Sequence, residues 1–319
     1  MAGKKTLEII SPGIMTTVQD IGRYGYGRFG VAPSGGLDSF ALRIANLLVG
    51  NPEDQACLET MLLGPGIRFL TEVVVAVTGG NLEPKRNKQP IEMWQSQVFK
   101  KNDVLSFGSA VSGFRAYIAV GGGISVPLVM GSRSTNLPSG FGGFNGRTLK
   151  KDDILVCDKQ RDPLPANKRI FAPDGVPMYS DKWQIRVVLG PQDDHFPEDS
   201  RSAFFGATYT MSQNSDRTGI RLEGPEIRCK PDVDASIVSE GVIAGSIQIP
   251  GDGKPIIILG ETVTGGYRKI ATVISADLPL MGQIKPGDSV QFQAVSLPEA
   301  HLALKKMEDR INDFRRTII

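Results

Sequence analysis

Histidine and cysteine are scarce. The 319-residue chain has two histidines, His195 and His301, and three cysteines, Cys57, Cys157 and Cys229. With so few ligands and no close cysteine pair, an ordinary zinc centre is excluded, and no metal site is expected. Thiols odd in number and far apart do not make a disulfide framework; they suit a reducing, cytoplasmic setting. An excess of one charge is also missing. The net charge of +2 offers no basic stripe for nucleic acid and no membrane-surface patch. The longest apolar runs, such as 73–77 and 256–259, are strand-sized and fall far short of the roughly 20 residues of a membrane span. The opening MAGKKTLEII carries lysines but no apolar core of a signal peptide, so none is expected. Strand–helix alternation is absent, which argues against a doubly wound sheet.

What is present is turn chemistry and short β-branched runs. The chain holds 37 glycines and 21 prolines. Between them lie the runs 7–10, 73–77, 117–120, 185–189, 256–259 and 290–292. Short strands separated by turn residues predict a mainly β architecture of barrels or sandwiches. Helices are expected over 37–49, where Leu37, Phe40, Ala41, Ile44 and Leu48 share a face before Gly50 and Pro52, and over 297–316. The second begins with a capping box, Ser296 and Glu299. A shorter helix is expected near 198–205.

The chain repeats itself. Leu58-Glu59 precedes Gly64-Pro65-Gly66-Ile67-Arg68, and Leu222-Glu223 precedes Gly224-Pro225-Glu226-Ile227-Arg228. The turns Lys101-Asn102-Asp103-Val104 and Pro286-Gly287-Asp288-Ser289 recur in the same order. The spacing, roughly 160 residues, predicts two similar barrel units in tandem, 1–165 and 166–319, joined near the Pro- and charge-rich Arg161–Lys168.

Several motifs fail. Gly25-Tyr26-Gly27-Arg28-Phe29-Gly30 has the letters of a dinucleotide fingerprint but neither leaves a buried strand nor opens a helix. Gly251-Asp252-Gly253-Lys254 lacks the spacing of a P-loop, and no nucleophile elbow exists. His301 reads as surface. His195 reads as a loop histidine bonding a nearby carboxylate, with a general base as the alternative.

Four clusters survive. In 17–38, Gln19, Asp20 and Arg23 stand among glycines that let backbone approach a ligand; alternatively Asp20 and Arg23 pair internally. Gly131-Ser132-Arg133-Ser134-Thr135 sets three hydroxyls around an arginine, as an anion clamp or a hydroxyl-capped turn. Glu240 and Gln248 flank Gly241–Ile247, as site groups or as edge polarity. Thr264-Gly265-Gly266-Tyr267-Arg268-Lys269 offers bare backbone, a hydroxyl and a cation, or else is a hairpin turn with surface charge.

These residues carry a resemblance. Val18-Gln19-Asp20, Gly22-Arg23, Pro33-Ser34-Gly35-Gly36, Gly131–Thr135, Gly245-Ser246-Ile247-Gln248-Ile249-Pro250, Thr264–Tyr267, Ala276-Asp277-Leu278 and Pro286-Gly287-Asp288 run in order along nearly the whole chain. They resemble the biotin-dependent carboxyltransferase family that includes allophanate hydrolase subunit 2 and the C subunit of 5-oxoprolinase. The resemblance implies cyclophilin-like barrels. It also implies a companion subunit resembling the first half of the carboxyltransferase domain, with biotin carboxylase and carrier proteins or a lactam-utilisation protein as further partners. Two departures stand out: Tyr267-Arg268-Lys269 where the family has Tyr-Pro-Lys, and Glu261-Thr262-Val263-Thr264 where many members have Asp-x-Gln-Thr. No Met-Lys-Met biotinylation site is present, so carboxybiotin would be supplied in trans, or ATP would act through the complex; nothing is covalently attached. On the chemistry of the residues, the expected catalytic groups are Lys269, Tyr267 and Arg133. Substrate binding is expected from Gln19, Asp20, Arg23, Ser132, Ser134, Glu240, Gln248, Thr264, Gly265 and Gly266. The alternative is a non-catalytic role. One branch of the family acts in sporulation signalling, where a related chain binds the companion subunit and relieves a sensor kinase of its inhibitor.

Overall fold

In the computed structural model, which describes residues 4–158 and 168–318, the run Val73–Asn81 is a strand buried along nearly its whole length. A strand reading Val-Val-Val-Ala-Val has no solvent face, so it must be covered on both sides. The described residues fall into two units. One comprises those of Met1–Arg23, Ser34–Tyr179 and Arg310–Ile319; the other comprises Tyr24–Pro33 and Ser180–Asp309. The expected boundary at 165/166 lies outside the described residues.

The first unit contains β1 (Lys4–Ser11), β2 (Met15–Gln19), β3 (Cys57–Met61), β4 (Gly66–Phe69), β5 (Val73–Asn81), β6 (Lys85–Arg86), β7 (Gln89–Pro90), β8 (Ser96–Phe99), β9 (Val104–Ser106), β10 (Ser112–Val120) and β11 (Ile154–Cys157). They form a six-stranded sheet, β11-β1-β4-β9-β6-β7, and a five-stranded sheet, β2-β3-β10-β5-β8. Leu7, Ile9, Ile67 and Leu155 of the first sheet meet Val18, Leu58, Val75, Val77 and Ile118 of the second in one apolar core. Because side chains alternate along a strand, the neighbours Gln19, Glu59, Val74, Thr78 and Tyr117 point to the opposite face of the second sheet. Helix α1 (Ser39–Leu48) lies there: Thr78 Oγ1 donates to the Ala41 carbonyl (2.7 Å). α1 starts two residues later than the periodicity predicts because Asp38 is its cap, accepting from Ala41 N–H (2.9 Å). The other Asp38 oxygen accepts from Tyr179 O–H (2.8 Å), and Asp38 N–H donates to the Tyr117 hydroxyl oxygen (2.7 Å). Tyr117 in turn donates to the buried Glu59 carboxylate (2.7 Å). Burial raises the Tyr117 phenol first, and the Glu59 and Asp38 charges raise it further. It therefore stays a protonated donor.

The second unit contains β12 (Lys182–Leu189), β13 (Tyr209–Met211), β14 (Gly219–Glu223), β15 (Ser236–Gly241), β16 (Ser246–Ile249), β17 (Ile256–Ile258), β18 (Thr264–Val273) and β19 (Ser289–Ala294). The order β12-β19-β13-β14-β17-β16-β18 closes on itself, because β18 also pairs with β12. Closure leaves a barrel to which, among the described residues, β15 is appended on the free edge of β18. Helices α2 (Glu198–Gly206) and α3 (Leu278–Met281) lie in this unit, and α2 agrees with the sequence expectation. The last helix, α4 (Leu297–Ile318), has the predicted box: Ser296 N–H donates to Glu299 Oε2 (2.7 Å) and Glu299 N–H to Ser296 Oγ (3.4 Å). Its end carries Phe314, edge-on to Phe171 at 5.1 Å between centroids. Among the described residues, no helix is long and apolar enough to cross a membrane.

The repeated Asp turns share one hydrogen-bond pattern. Lys100 N–H donates to Asp103 Oδ2 (2.8 Å) and Lys285 N–H to Asp288 Oδ2 (3.1 Å). A third copy exists, with Lys150 N–H on Asp153 Oδ2 (2.7 Å). In all three the residue before Asp has positive φ: Asn102, Asp152 and Gly287. The Arg147 guanidinium grips both Asp153 oxygens (2.7 and 2.8 Å). That grip, with the Lys150 amide, outweighs burial and holds the Asp153 carboxyl below its usual range. A lowered carboxyl pKa stabilises the fold above the unfolded value, and the gain is lost as pH falls through the folded one. Arg147→Met should therefore lower the apparent Tm at pH 7, and its gap to wild type should close as pH falls below the ordinary aspartate range of about 4. A gap independent of pH in thermal melts would mean that Arg147 acts only by packing on Phe144, whose ring centre lies 5.2 Å from its guanidinium carbon.

Candidate functional site

The predicted residues gather into one cluster in each unit. In the first, Asp20 follows directly on β2 and is buried. Its Oδ1 accepts from Gly22 N–H (2.8 Å), Ser132 Oγ (2.6 Å) and Ser134 Oγ (2.5 Å), and its Oδ2 accepts from Arg133 N–H (2.5 Å). A buried carboxylate must be compensated in this way. One carboxylate thus ties 20–22 to 132–134. Arg23, also buried, bonds the Ser134 carbonyl (2.5 Å) and the Ser34 hydroxyl (3.2 Å), with its guanidinium 4.7 Å from the Phe141 ring centre. Asp20 and Arg23 each reach across to the 129–136 segment. Gln19 is fully buried and donates to Thr17 Oγ1 (3.1 Å) and the Thr135 carbonyl (3.2 Å). The hydroxyl protons of Ser132 and Ser134 are therefore committed to Asp20. Arg133 is half-buried, and its Nε donates to the Val126 carbonyl (3.2 Å). This cluster presents one arginine on a rigidly tied loop.

In the second unit the cluster forms where β18 changes partners. Its C-terminal half pairs with β12, with Leu189 opposite Ala271. Its N-terminal half pairs with β15, with Glu240 opposite Gly265 and Ser236 opposite Tyr267. Lys269 lies between these two stretches, facing Gln248 on β16 across the other edge. The gap is filled by the turn after β12: Gly190 N–H donates to the Ile270 carbonyl (2.9 Å). A Cβ at Gly190 would fall 2.3 Å from the Lys269 carbonyl oxygen, so only glycine fits. The turn brings in Gln192, whose Oε1 accepts from Lys269 N–H (3.0 Å) and whose Nε2 donates to Glu240 Oε1 (2.9 Å). Lys269 Nζ binds that same Glu240 oxygen. The Lys269 side chain is 7% exposed and that of Glu240 44%. The hydrogen bond from Lys269, then that from Gln192, lowers the Glu240 carboxyl below its usual range.

The neighbours complete the patch. Gln248 Nε2 donates to the Tyr267 carbonyl (3.2 Å), and a Cβ on Gly265 would collide with that amide at 2.3 Å. The bare backbone of Gly265 thus accommodates the chain's own Gln248. Tyr267 and Thr264 are exposed, and Gly266 is half-buried. Arg268, at the departure from the family pattern, lies 2.6 Å from His195 Nδ1, so the histidine's direct partner is an arginine; the Asp194 carboxylate stands 3.9 Å away. Glu261, at the other departure, is fully buried against Arg217 (3.1 Å). Gln192 is the residue that sequence reasoning missed. It stands three residues from His195, and only the strand exchange on β18 gives it a role.

Residues 29–294 match the family described as carboxyltransferase domain, subdomain A and B. The chain is 37% identical to the C subunit of Escherichia coli 5-oxoprolinase over 97% of both chains. It is equally identical to urea amidolyase of Saccharomyces cerevisiae over 95% of this chain, but covers 17% of that much longer protein. The crystal structure of Kluyveromyces lactis urea carboxylase superposes on 98% of this chain with a TM-score of 0.91 at 35% identity, the match taking up 29% of that structure. Family-model match, near-full-length identity and barrel geometry agree: the chain belongs to the family of carboxyltransferase domains, subdomains A and B.

Proposed function

We propose that the chain is a subunit of an ATP-driven 5-oxoprolinase or a biotin-dependent carboxyltransferase, acting with a companion subunit on a small lactam-, amide- or urea-like substrate. The observation that carries this is the correspondence with the 5-oxoprolinase C subunit from end to end of both chains. The lactam-opening reading leads because, in the urea-processing relatives, the matching part is a fraction of one long polypeptide.

Such chemistry moves charge onto a carbonyl or ureido oxygen and a proton at an amide nitrogen. The second-unit cluster has a donor set suited to this. Lys269 offers a cation shielded from water, Tyr267 an exposed hydroxyl, and Gln192 a second N–H beside the lysine. In the first cluster Arg133 binds an anionic group, while Asp20, Ser132 and Ser134 position the loop that carries it. Carboxybiotin from a carrier would supply an activated carboxyl group, and ATP would supply phosphoryl activation; either comes through other subunits. A preorganised donor of this kind elsewhere contributes on the order of 3 kcal/mol to lowering a barrier.

Co-purification with the companion subunit, followed by turnover assays on 5-oxoproline with ATP and on urea with ATP, bicarbonate and biotin carboxylase, tests the proposal. ATP-dependent loss of 5-oxoproline is the expected result. Tight binding of the companion without turnover of either substrate would overturn it and favour the regulatory role.

A further inference from the structure

One oxygen in the second-unit cluster is held by two donors at once. Lys269 Nζ and Gln192 Nε2 both point at Glu240 Oε1. The two donors sit on different supports: Lys269 in the barrel strand β18, and Gln192 on the turn pinned by Gly190 to the Ile270 carbonyl. Gln192 is anchored independently of Glu240, through its Oε1 to Lys269 N–H (3.0 Å), which also ties its turn to the strand that carries the ammonium. The acceptor is different in kind. Glu240 comes from β15, the strand outside the closed barrel, exposed at five of its six positions, with Val238 92% exposed. The register between β15 and β18 is irregular just before Glu240. A buried cation and an amide N–H thus converge on one oxygen of a solvent-reaching carboxylate on an outer strand. This is the donor arrangement that recognises a free carboxylate.

We infer that Lys269 Nζ and Gln192 Nε2 form a carboxylate seat that Glu240 fills in the resting chain and yields to an incoming carboxylate ligand. The inference rests on the functional reading of Lys269 and adds the class of group it takes. Glu240 keeps the ammonium paired while the seat is empty of ligand, since an unpaired buried cation is costly. When displaced, it moves from a 44%-exposed position into water, which solvates it at little cost. The incoming carboxylate inherits both donors. Glu240 is therefore a competitor, and its removal tightens ligand binding.

The test uses formate, the smallest carboxylate, titrated into the full chain at constant ionic strength and read on the backbone amide NMR signals of Gly190 and Ile270, which every variant retains. Glu240→Ala should lower the formate Kd at least tenfold relative to wild type. Glu240→Gln, which keeps the side chain's size, should lower it in the same direction, and it serves if the alanine variant melts early. Adding Lys269→Met to Glu240→Ala should abolish the gain, and adding Gln192→Leu should reduce it several-fold. Equal formate affinity in wild type and both Glu240 variants would overturn the proposal, as would a gain that survives Lys269→Met. Formate has neither a lactam nor a ureido group. A failure here therefore counts against the seat alone, whereas absent turnover by the complex counts against the functional reading.

Discussion

Asp20→Ala is expected to destabilise the first unit by about 3 kcal/mol or more, a fall of roughly 10 °C in apparent Tm. The reason is the number of donors that depend on one carboxylate. Gly22 N–H, Arg133 N–H and the hydroxyls of Ser132 and Ser134 all lose their acceptor together. Each unsatisfied buried donor costs about 1–3 kcal/mol, and relaxation of the loop reduces the sum. Asp20→Asn keeps one acceptor oxygen and places an amide where Arg133 N–H now donates, so its effect should be smaller but of the same sign. The check is thermal and urea unfolding of both variants, with limited proteolysis at 129–136 as a local readout. An alanine variant within about 0.5 kcal/mol of wild type would mean that the loop is held by Arg23 instead.

Arg217→Met should cost about 3–5 kcal/mol in the second unit. Glu261 is 0% exposed and Arg217 5% in their side chains, and the guanidinium Nε lies 3.1 Å from the carboxylate. Removing the cation alone leaves a buried carboxylate without its principal counter-charge. Removing both is much milder, because no net charge is then stranded in the interior. The double variant Arg217→Met with Glu261→Leu should recover most of the loss in equilibrium unfolding. Losses that simply add would show that the two residues act independently.

Much of the frame was legible because it depends on local patterns. The caps and stripes of α1 and α4, the apolar runs that became β1, β5, β10, β12, β17 and β19, and two of the three Asp turns follow from periods and turn residues, whereas 264–269, read as a loop or hairpin turn, is the first part of strand β18. The third turn, at Asp153, escaped because Lys150-Lys151-Asp152-Asp153 has neither the asparagine of the first turn nor the glycine of the second at the positive-φ position and reads as a surface charge run. Long-range partners were not legible. Tyr179 meets Asp38 across 141 residues, and Ser132 meets Asp20 across 112. Nothing local distinguishes Asp20 pairing with Arg23, three residues away, from Asp20 bonding a distant loop. Residue chemistry marked Lys269 and Glu240 as site candidates, yet their coupling through Gln192 arises from the way β18 exchanges β12 for β15. That exchange is a property of barrel closure, which no window of sequence contains.

The central claim is that the second-unit cluster does chemistry within an enzyme complex. Turnover of 5-oxoproline by the complex assembled with wild-type or Lys269→Met chain tests it most directly. The account predicts unchanged assembly with the companion subunit and kcat/KM lower by about 100-fold. Unchanged kcat/KM in the Lys269→Met complex would contradict it.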